Sequence, residues 1–585
     1  MKIINIFWTT IILLLILSFS SCQKDSFLER YPVSSLTAQN FFANESDLNT
    51  YCNGLYSYLP SVTSIALNDQ QSDNYENNPF NKVVAGQVTV PTSASSAGWT
   101  WTYLRQVNYF LQNYSKANAS DAVKNHYVGV AKFFRAWFYF DMVKRFGDVP
   151  WYNTQILPND SANLYKARDS RQLVMDSVMS DLSFAVNNIK TTGSSGTITK
   201  WVALALMARV ALHEGTFREY HSINNWQKFL KTADSAATVI IQSGTFKLYK
   251  TGNPSSDYLN LFLFYLPTDP QNVEVILGNY YSKALNYTTA LDGYMRAYGL
   301  SLTKDLMNNY LTKTGTPFST VTGYDTMMIS GEFINRDPRL SQTILPPTLV
   351  YGDLTGYKIL GPAPTGYMQI KYYDPNTPTW NTNYNAGIEF RFGEILLIAA
   401  EARAELANAG SGSFSQSDLD ATVNLLRDRV GMPHLTMSVP VDPGLAAQYP
   451  AVTGSLQNVL LEIRRERRVE LVCEGFRYDD LMRWKSGNLL AKPFYGMYFP
   501  GLGQYDLNKD GNPDIALVTA KPSNPVSSIS YFVVAKDLFL SNGNSGYVVV
   551  NPTLQKTFQD PKNYFFPLPT TELLLNKNLT QNPGW

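Results

Sequence analysis

Cys22 is the residue whose position points most directly to a covalent modification. It follows an apolar stretch, densest at 11–17, that is preceded by Lys2 and followed by small residues. Such a stretch is too short to span a bilayer as a helix and has the layout of a secretory signal. A cysteine at the first mature position is typical of a bacterial lipobox, although Phe19 stands where leucine is commoner. We predict a lipoprotein signal peptide over 1–21 and lipidation of Cys22; the alternative is an ordinary cleaved signal followed by an incidental cysteine.

A lipid on Cys22 would hold the rest of the chain at a membrane surface. Each buried methylene of an acyl chain contributes about 0.8 kcal/mol, so two or more chains give a stable anchor. The later apolar stretches are short and carry charges such as Glu394 and Glu401, so the sequence predicts no membrane-spanning helix. Cys52 and Cys473 could pair, but two buried free thiols are the simpler interpretation, and so few cysteines do not make a disulfide scaffold.

Acidic and amide side chains alternate around a glycine in the segment 506–514. Oxygen ligands in this pattern are typical of an EF-hand calcium loop, since calcium takes about six to eight oxygens. The glutamate of the twelfth position is missing, because Leu517 stands there. Two interpretations stay open, a structural calcium site that stiffens the loop or a turn without metal. The candidate ligands are Asp506, Asn508, Asp510, Asn512 and Asp514.

Composition and motif spacing argue against nucleic-acid binding and against catalysis. The net charge is +1, charged residues make up 16% of the chain, and no basic block stands out. Only four histidines occur, and His213-Glu214 is not followed by the second histidine of a zinc protease. We therefore predict a protein that is not an enzyme and requires no cofactor. A glycoside hydrolase is the weaker alternative, because its paired carboxylates meet in space and not along the chain.

Four stretches predict strong helices, at 131–146, 201–214, 390–407 and 456–473. The first is apolar on two faces, as in a helix packed between neighbours in a layered array. Gly147 and Gly215 are predicted to end the first two helices. Shorter helical patterns occur at 46–58, 171–189, 226–242 and 418–430.

Two long stretches between the helices, 251–385 and 491–560, are rich in Gly, Pro, Asn, Ser and Tyr and show little periodicity. They predict long loops and short strands, and loops of such length in a compact protein are commonly functional. No pattern recurs at a fixed period, so one compact unit with large excursions is favoured over a string of domains. The charge run 462–470 has mixed signs and predicts a helix with ion pairs along it rather than a phosphate-binding patch.

Seven short segments, spread over nearly the whole mature chain, carry a family signature. They are CQKDSFLE at 22–29, FRAWFYFDMVKRFGDVP at 134–150, ITKWVALALMARVALHEG at 198–215, DPRL at 337–340, FRFGEILLIAAEARA at 390–404, ERRVELVCEGFRYDDLMRW at 466–484 and NKNLTQNPGW at 576–585. In this order they resemble the SusD/RagB family of outer-membrane lipoproteins of Bacteroidetes. Each segment is weak alone, and together they are specific to the family.

The resemblance implies a mainly α fold in which tetratricopeptide-like helix pairs form a scaffold, with long irregular excursions and a few short strands. We divide the mature chain into an amino-terminal helical region, 22–250, and a carboxy-terminal region with the excursions, 251–585. The resemblance also implies a role. It implies that the protein is lipid-anchored in the outer membrane and faces the cell exterior. It further implies that the protein captures a glycan and delivers it to a SusC-like TonB-dependent transporter. The peptide-binding RagB branch is the alternative within the family.

A sugar ring presents apolar C–H faces and a rim of hydroxyls, so a site for it combines flat aromatic side chains with polar groups at their edges. Trp99, Trp101 and Tyr103 form the clearest aromatic group, and the corresponding segment contributes to the ligand site in some members of the family. The alternative for each aromatic side chain is packing in the core. Further candidates for ligand contact are Asp73, Asn74 and Tyr75 in one polar segment, with Tyr287, Tyr294 and Trp380 in the excursions.

Overall fold

The computed structural model describes residues 41–297, 300–358, 360, 363–376 and 382–585, so Cys22 and Trp380 lie outside the described residues. The helices that position the site are α1 (Glu45–Leu55), α2 (Thr102–Asn113), α3 (Asp121–Phe146), α4 (Arg171–Asn188), α5 (Lys200–Tyr220), α6 (Trp226–Gln242), α7 (Phe392–Asn408), α8 (Gln457–Glu470) and α9 (Arg477–Arg483). Further short helices are Val62–Leu67, Ala94–Ala97, Ser161–Leu164, Asp257–Asn260, Leu291–Ala297, Lys304–Asn309, Ile329–Glu332, Arg339–Thr343, Gln416–Asp420, Val423–Arg429, Pro443–Gln448 and Thr570–Leu575.

The strands are short and lie mostly in the excursions. They are β1 (Tyr75–Asn77), β2 (Val275–Asn279), β3 (Leu300–Leu302), β4 (Val350–Tyr351), β5 (Leu354–Thr355), β6 (Gly387–Arg391), β7 (Tyr498–Phe499), β8 (Gly503–Tyr505), β9 (Ile515–Val518), β10 (Ser530–Val533) and β11 (Gly546–Tyr547). Antiparallel pairs join β1 to β3, β2 to β6, β4 to β5 and β7 to β11. In the three-stranded sheet, β9 lies between β8 and β10 and runs parallel to β10.

The long helices pack in series, α3 on α4, α4 on α5, α5 on α6, α6 on α7 and α7 on α8. This succession of helix pairs is the tetratricopeptide-like, mainly α scaffold that the sequence predicts. One apolar cluster runs through these helices, and a second lies beneath the excursions. The excursions are therefore stabilised by a hydrophobic core of their own and not only by their connections to the scaffold.

α3 is the longest of the described helices, and its ends follow from its sequence. Ser120 accepts a hydrogen bond from the Val123 amide at 3.4 Å, as an N-cap does. Gly147 ends the helix with φ 73°, a conformation that favours glycine. The helix begins at Asp121, well before the predicted start at 131. The prediction missed the first turns because their polar residues interrupt the apolar pattern.

Gly215 does not end α5, which continues to Tyr220. A Cβ built on Gly215 would lie 2.5 Å from Leu230 Cδ2, so the glycine permits the close approach of α5 and α6. The predicted helix end was wrong, because glycine serves close packing here rather than termination. The bounds of α7 and α8 agree with the predictions 390–407 and 456–473 to within one turn.

The charge run 462–470 forms most of α8, and its charged side chains are buried. Glu470 accepts hydrogen bonds from Arg391 at 2.8 Å and from Arg339 at 3.0 Å. Burial opposes its ionisation, but the charges of Arg429, Arg391 and Arg339 outweigh burial and lower the pKa of Glu470. The predicted ion pairs are therefore present, and they lie inside the protein, where they join α8 to the excursions.

Within the described part of the chain, no helix is both long and apolar enough to cross a membrane. Cys52 and Cys473 are free and buried, as predicted.

Candidate ligand-binding site

A cleft of about 260 Å³ opens between the amino-terminal end of α2 and the segment 151–156. We call it the Trp101 cleft. Its lining combines two aromatic rings with apolar and polar side chains: Trp101, Thr102, Leu104, Arg105, Asn108, Tyr152, Thr154 and Ile156. Cleft volumes near 300 Å³ are at the lower end of the range for small-molecule sites, about 300 to 1,000 Å³. The cleft therefore has room for part of a ligand and lies open for the rest.

Trp101 stands at the N-cap position of α2 and is half-buried. Its ring meets the Tyr152 ring edge to face, with centroids 5.5 Å apart and an angle of 82°. Contacts with Phe138 and Tyr139 on α3 hold the indole from behind. Such packing fixes the ring before any ligand arrives, which lowers the entropy cost of binding.

The segment 151–156, which forms the second wall, is held by hydrogen bonds to the helices. The Asn108 amide donates to the carbonyls of Tyr152 and Thr154, both at 3.0 Å. The Tyr152 amide donates to the Tyr139 hydroxyl at 2.6 Å. These bonds place the Tyr152 ring opposite Trp101 although the segment has no regular secondary structure.

The orientation of the Asn108 side chain is itself determined by a buried ion pair. Arg135 donates to both carboxylate oxygens of Asp181, at 2.7 and 2.9 Å, and its Nη1 donates to Asn108 Oδ1 at 3.2 Å. Because Oδ1 faces a cation, the amide nitrogen must face the two carbonyls. The wall of the cleft is thus connected through Asn108 to α3 and α4.

The Trp101 cleft offers aromatic, hydroxyl and guanidinium groups to a ligand. Among the described residues that line it, none is a carboxylate, a histidine or a cysteine, and the exposed Arg105 is its one cation. Burial and the charge of Asp169 raise the pKa of Tyr152 to about 12, so its hydroxyl keeps its proton at neutral pH. Hydrolysis of a glycoside needs a pair of carboxylates, and this cleft does not provide one.

Trp99 packs against Trp101, and neither Trp99 nor Tyr103 lines the cleft. Trp99 is 3% exposed and packs edge to face on Trp101 and Phe146, with centroids 5.2 and 4.9 Å away. The Tyr103 hydroxyl donates to the Leu55 carbonyl at 2.7 Å, and its ring stacks on Tyr58. Of the three predicted aromatic residues, the structure brings only Trp101 into the cleft.

The polar segment 73–75 lies in the core, which corrects the prediction that it contacts a ligand. Asp73 and Asn74 are 4% and 0% exposed, and Tyr75 is also buried. Arg477 donates to both oxygens of Asp73, at 2.6 and 2.7 Å, and Arg468 donates to Asn74 Oδ1 at 2.8 Å. Their hydrogen-bonding atoms are thus used inside the protein.

The other tyrosines predicted to contact a ligand lie outside the Trp101 cleft. Tyr75 is joined through its hydroxyl to Gln369 and Cys473 in the core. Tyr287 is 54% exposed and stacks on Tyr281, and Tyr294 is 37% exposed; neither lines the Trp101 cleft. Their role in binding stays a prediction, as does that of Trp380.

The segment 506–514 forms a turn whose side chains bind its own backbone. The Asp506 carboxylate accepts hydrogen bonds from the amides of Lys509 and Gly511, and Asp514 accepts from the Leu507 amide at 2.7 Å. No group of three or more His, Cys, Asp or Glu in the described residues is arranged to hold a metal. Calcium binding stays a prediction. Calorimetric titration of chelator-treated protein with calcium chloride tests it, and saturable heat would support the site while its absence would contradict it.

Sequence reasoning missed Tyr152, Arg105 and Asn108. The aromatic pair Trp151-Tyr152, directly after the helix-ending segment 147–150, was the available signal for the second wall. Asn108 gives no such signal, because a single asparagine in a helix pattern has no distinctive spacing.

The fold is a scaffold of helix pairs that carries irregular excursions, and an aromatic cleft lies at the end of one helix. Two family models match the chain: one described as the SusD family matches 269–585, and one described as starch-binding, associating with the outer membrane, matches 26–212. The first covers more than half of the chain. The chain belongs to the SusD family.

Individual relatives are distant but extend over almost the full length. SusD-like protein P38 of Formosa agariphila is 24% identical over 515 residues, which is 85% of this chain and 94% of the relative. A SusD-like carbohydrate binding protein of Bacteroides fragilis has a TM-score of 0.68 and 24% identity, over 92% of this chain and 100% of that one. A laminarin binding SusD-like protein has a TM-score of 0.53 and 16% identity, over 93% of this chain and 100% of that one. At these identities the structural likeness establishes the fold.

Proposed function

We propose that this protein is a glycan-binding lipoprotein that captures an oligosaccharide or polysaccharide at the Trp101 cleft. The observation that carries the proposal is the pairing of two rigidly held rings, Trp101 and Tyr152, beside the exposed hydroxyls of Thr102 and Thr154 and the guanidinium of Arg105. The description of one matching family model as starch-binding supports it. Two structural neighbours, described as carbohydrate binding and laminarin binding, also support it.

Binding follows from the chemistry of the two partners. The apolar face of a sugar ring packs on the indole or the phenol, and its hydroxyls exchange hydrogen bonds with Thr102, Thr154 and Arg105. A chain of sugars continues beyond the open cleft across the surface. No bond of the ligand is broken, so the protein acts as a binder and not as an enzyme.

The anchor and the partner complete the proposal. Lipidation of Cys22 tethers the protein to the outer membrane, facing the cell exterior, and a SusC-like TonB-dependent transporter receives the glycan. Family membership supports this role, and one family model is described as associating with the outer membrane. Affinity purification of the lipidated chain from native membranes tests the partnership. Enrichment of a large β-barrel protein is expected, and its absence would contradict delivery through a transporter.

Calorimetric titration of the chain from Gln23 onward against polysaccharides, their oligosaccharides and mixed peptides tests the capture. Saturable binding to a glycan is expected, and Trp101→Ala should weaken it. Loss of an aromatic anchor costs about 2 kcal/mol, which is roughly thirtyfold in affinity. Trp226→Ala, which removes a half-buried tryptophan of α6, is the matched control and should leave affinity unchanged.

Two outcomes would overturn the proposal. Binding to peptides alone would move the protein to the RagB-like branch of the family. Release of shorter sugars on incubation with a bound polysaccharide, followed by chromatography, would make it an enzyme.

A further inference from the structure

A second cavity, of about 330 Å³, lies on another side of α3 and shares no lining residue with the Trp101 cleft. We call it the Lys144 cavity. Trp137, Phe140, Asp141 and Lys144 line it from α3, at spacings that put them on one face of the helix. The segment 58–68, α5, β6 and the region from α8 to α9 supply its other walls.

The mouth of the Lys144 cavity is polar and open to solvent. Ser64 and Asn68 are exposed, and the side chains of Asp141 and Asp479 are 40% and 31% exposed. The volume lies within the range of small-molecule sites, about 300 to 1,000 Å³. A compact ligand can therefore enter from this side.

The charges that line the cavity are already paired. Lys144 Nζ lies 2.8 Å from Asp479 and 3.2 Å from Asp141. Arg209 lies 2.6 Å from Glu389 and 2.7 Å from Glu394. An ionic ligand would meet charges of both signs at every wall, and the cost of removing it from water would not be offset. A neutral ligand avoids this cost and still finds many hydrogen-bond partners.

Two buried polar atoms in the cavity wall have no hydrogen-bond partner among the described residues. They are Nδ1 of His213, a residue that is 6% exposed, and Nη1 of Arg467, a residue that is 4% exposed. Arg467 uses its Nε on Asp480, at 2.8 Å, which leaves Nη1 as a donor. Burial and nearby cations such as Arg171 lower the pKa of His213, so its ring is neutral. Both atoms are closed to solvent, so they lie behind the surface of the cavity and do not contact a ligand in this conformation.

We propose that the Lys144 cavity is a second binding site, which takes a single neutral sugar ring. Its hydroxyls would donate to the carboxylates of Asp141 and Asp479 and exchange hydrogen bonds with Ser64 and Asn68 at the mouth. Trp137 and Phe140 provide the apolar surface that the C–H groups of the ring require. The ring is either a free monosaccharide or the terminal unit of a longer glycan. The proposal does not depend on the function proposed for the Trp101 cleft.

Saturation-transfer NMR with the full chain tests this site, with D-glucose, D-galactose, D-mannose, N-acetylglucosamine and L-rhamnose as probes. We expect saturable binding of at least one sugar. Ser64→Phe should abolish it by filling the mouth, and Ser180→Phe, on an exposed serine of α4, is the matched control. Trp101→Ala should leave this binding unchanged, which separates the two sites.

Asp479→Asn keeps the shape of the side chain and tests the chemistry if Ser64→Phe does not fold. Loss of a hydrogen bond to a charged group costs about 1.5 to 3 kcal/mol, so affinity should fall about tenfold or more. The oligosaccharide of the bound sugar, tested on Trp101→Ala, distinguishes a terminal unit from a free monosaccharide. No saturable sugar binding, or binding that Trp101→Ala removes and Ser64→Phe and Asp479→Asn do not, would overturn the proposal.

Discussion

Asp73 is a polar residue near aromatic residues in the sequence, but its side chain forms a buried ion pair with a residue that is distant along the chain. Its carboxylate is bound by Arg477, which lies 404 positions along the chain, so local sequence does not reveal the pair. Burial opposes ionisation, but the charges of Arg468 and Arg477 outweigh it and lower the pKa of Asp73 to about 2. The same residue types that suit a sugar site thus serve as internal ion pairs.

Replacement of Asp73 should therefore affect stability and not ligand affinity. Asp73→Asn leaves two buried guanidinium groups short of a counter-charge, and breaking a buried pair in this way costs about 3 to 5 kcal/mol. Urea unfolding measures the loss, and Asp176→Asn, on a surface pair with Lys228, is the control with a cost of about 1 kcal/mol or less. A stable Asp73→Asn variant with weakened glycan binding would instead return Asp73 to the ligand site.

Asp69, close to this pair, should make stability depend on pH. Burial raises its pKa from 3.8 to about 6, against the hydrogen bond from the Cys473 amide. The folded protein then holds the proton more tightly than the unfolded chain. The stabilisation is complete below the unfolded pKa and is lost as pH rises through about 6.

Asp69→Asn has no proton to lose, so its unfolding free energy relative to wild type should increase from pH 4 to pH 7. Urea unfolding of both proteins at the two pH values measures this difference. A difference that stays constant between them would contradict the assignment to Asp69.

The elements with the strongest apolar pattern were the most predictable. The helices α7 and α8 follow from their spacing alone, because a buried helix must repeat apolar residues with its own period. Gly215 was misleading because the approach of α6 depends on Leu230, and the sequence pattern does not contain that contact. The cleft was half predictable: Trp101 stands out, whereas the position of Tyr152 depends on a segment whose only order comes from tertiary hydrogen bonds.

Asn108 should control that segment. Asn108→Ala removes the amide donor to the carbonyls of Tyr152 and Thr154, at about 1 kcal/mol for each hydrogen bond. Glycan affinity measured by calorimetry should fall because the Tyr152 ring loses its position. Asn113→Ala, which removes an amide bonded within α2 to the Tyr109 carbonyl, is the matched control. Unchanged affinity in Asn108→Ala would show that the segment is ordered by other contacts.

At the scale of the whole molecule, the order of helices and excursions along the chain was predictable. The ion pairs that connect them were not. The sequence predicts a helical scaffold, long excursions and an ion-paired α8. It does not reveal that α8 is buried, because a run of arginines and glutamates is more often solvated. The glutamates of α8 can be buried because they pair with Arg339, Arg391 and Arg427, which are distant in the sequence.

The proposed lipid anchor also concerns the whole molecule. Cys22→Ser should move the protein from the membrane fraction to the soluble fraction, because no acyl chain is attached, and should abolish labelling by radioactive palmitate. Cys52→Ser, which changes a buried free thiol, is the control and should stay with the membrane. Labelled, membrane-bound Cys22→Ser would contradict lipidation at this residue.

The buried ion pairs between α8 and the excursions set a rule for replacing an excursion with that of a relative. Asp337 and Arg339 belong to the excursion, and Arg339 donates to Glu466 of the scaffold at 2.5 Å. A graft that transfers the excursion from a relative must bring an arginine to this place, or it leaves Glu466 inside the protein with Arg427 but without Arg339 as a counter-charge. Surface loops elsewhere are free to diverge. Chimaeras of this fold therefore require matched charges where the transplanted segment packs on α8.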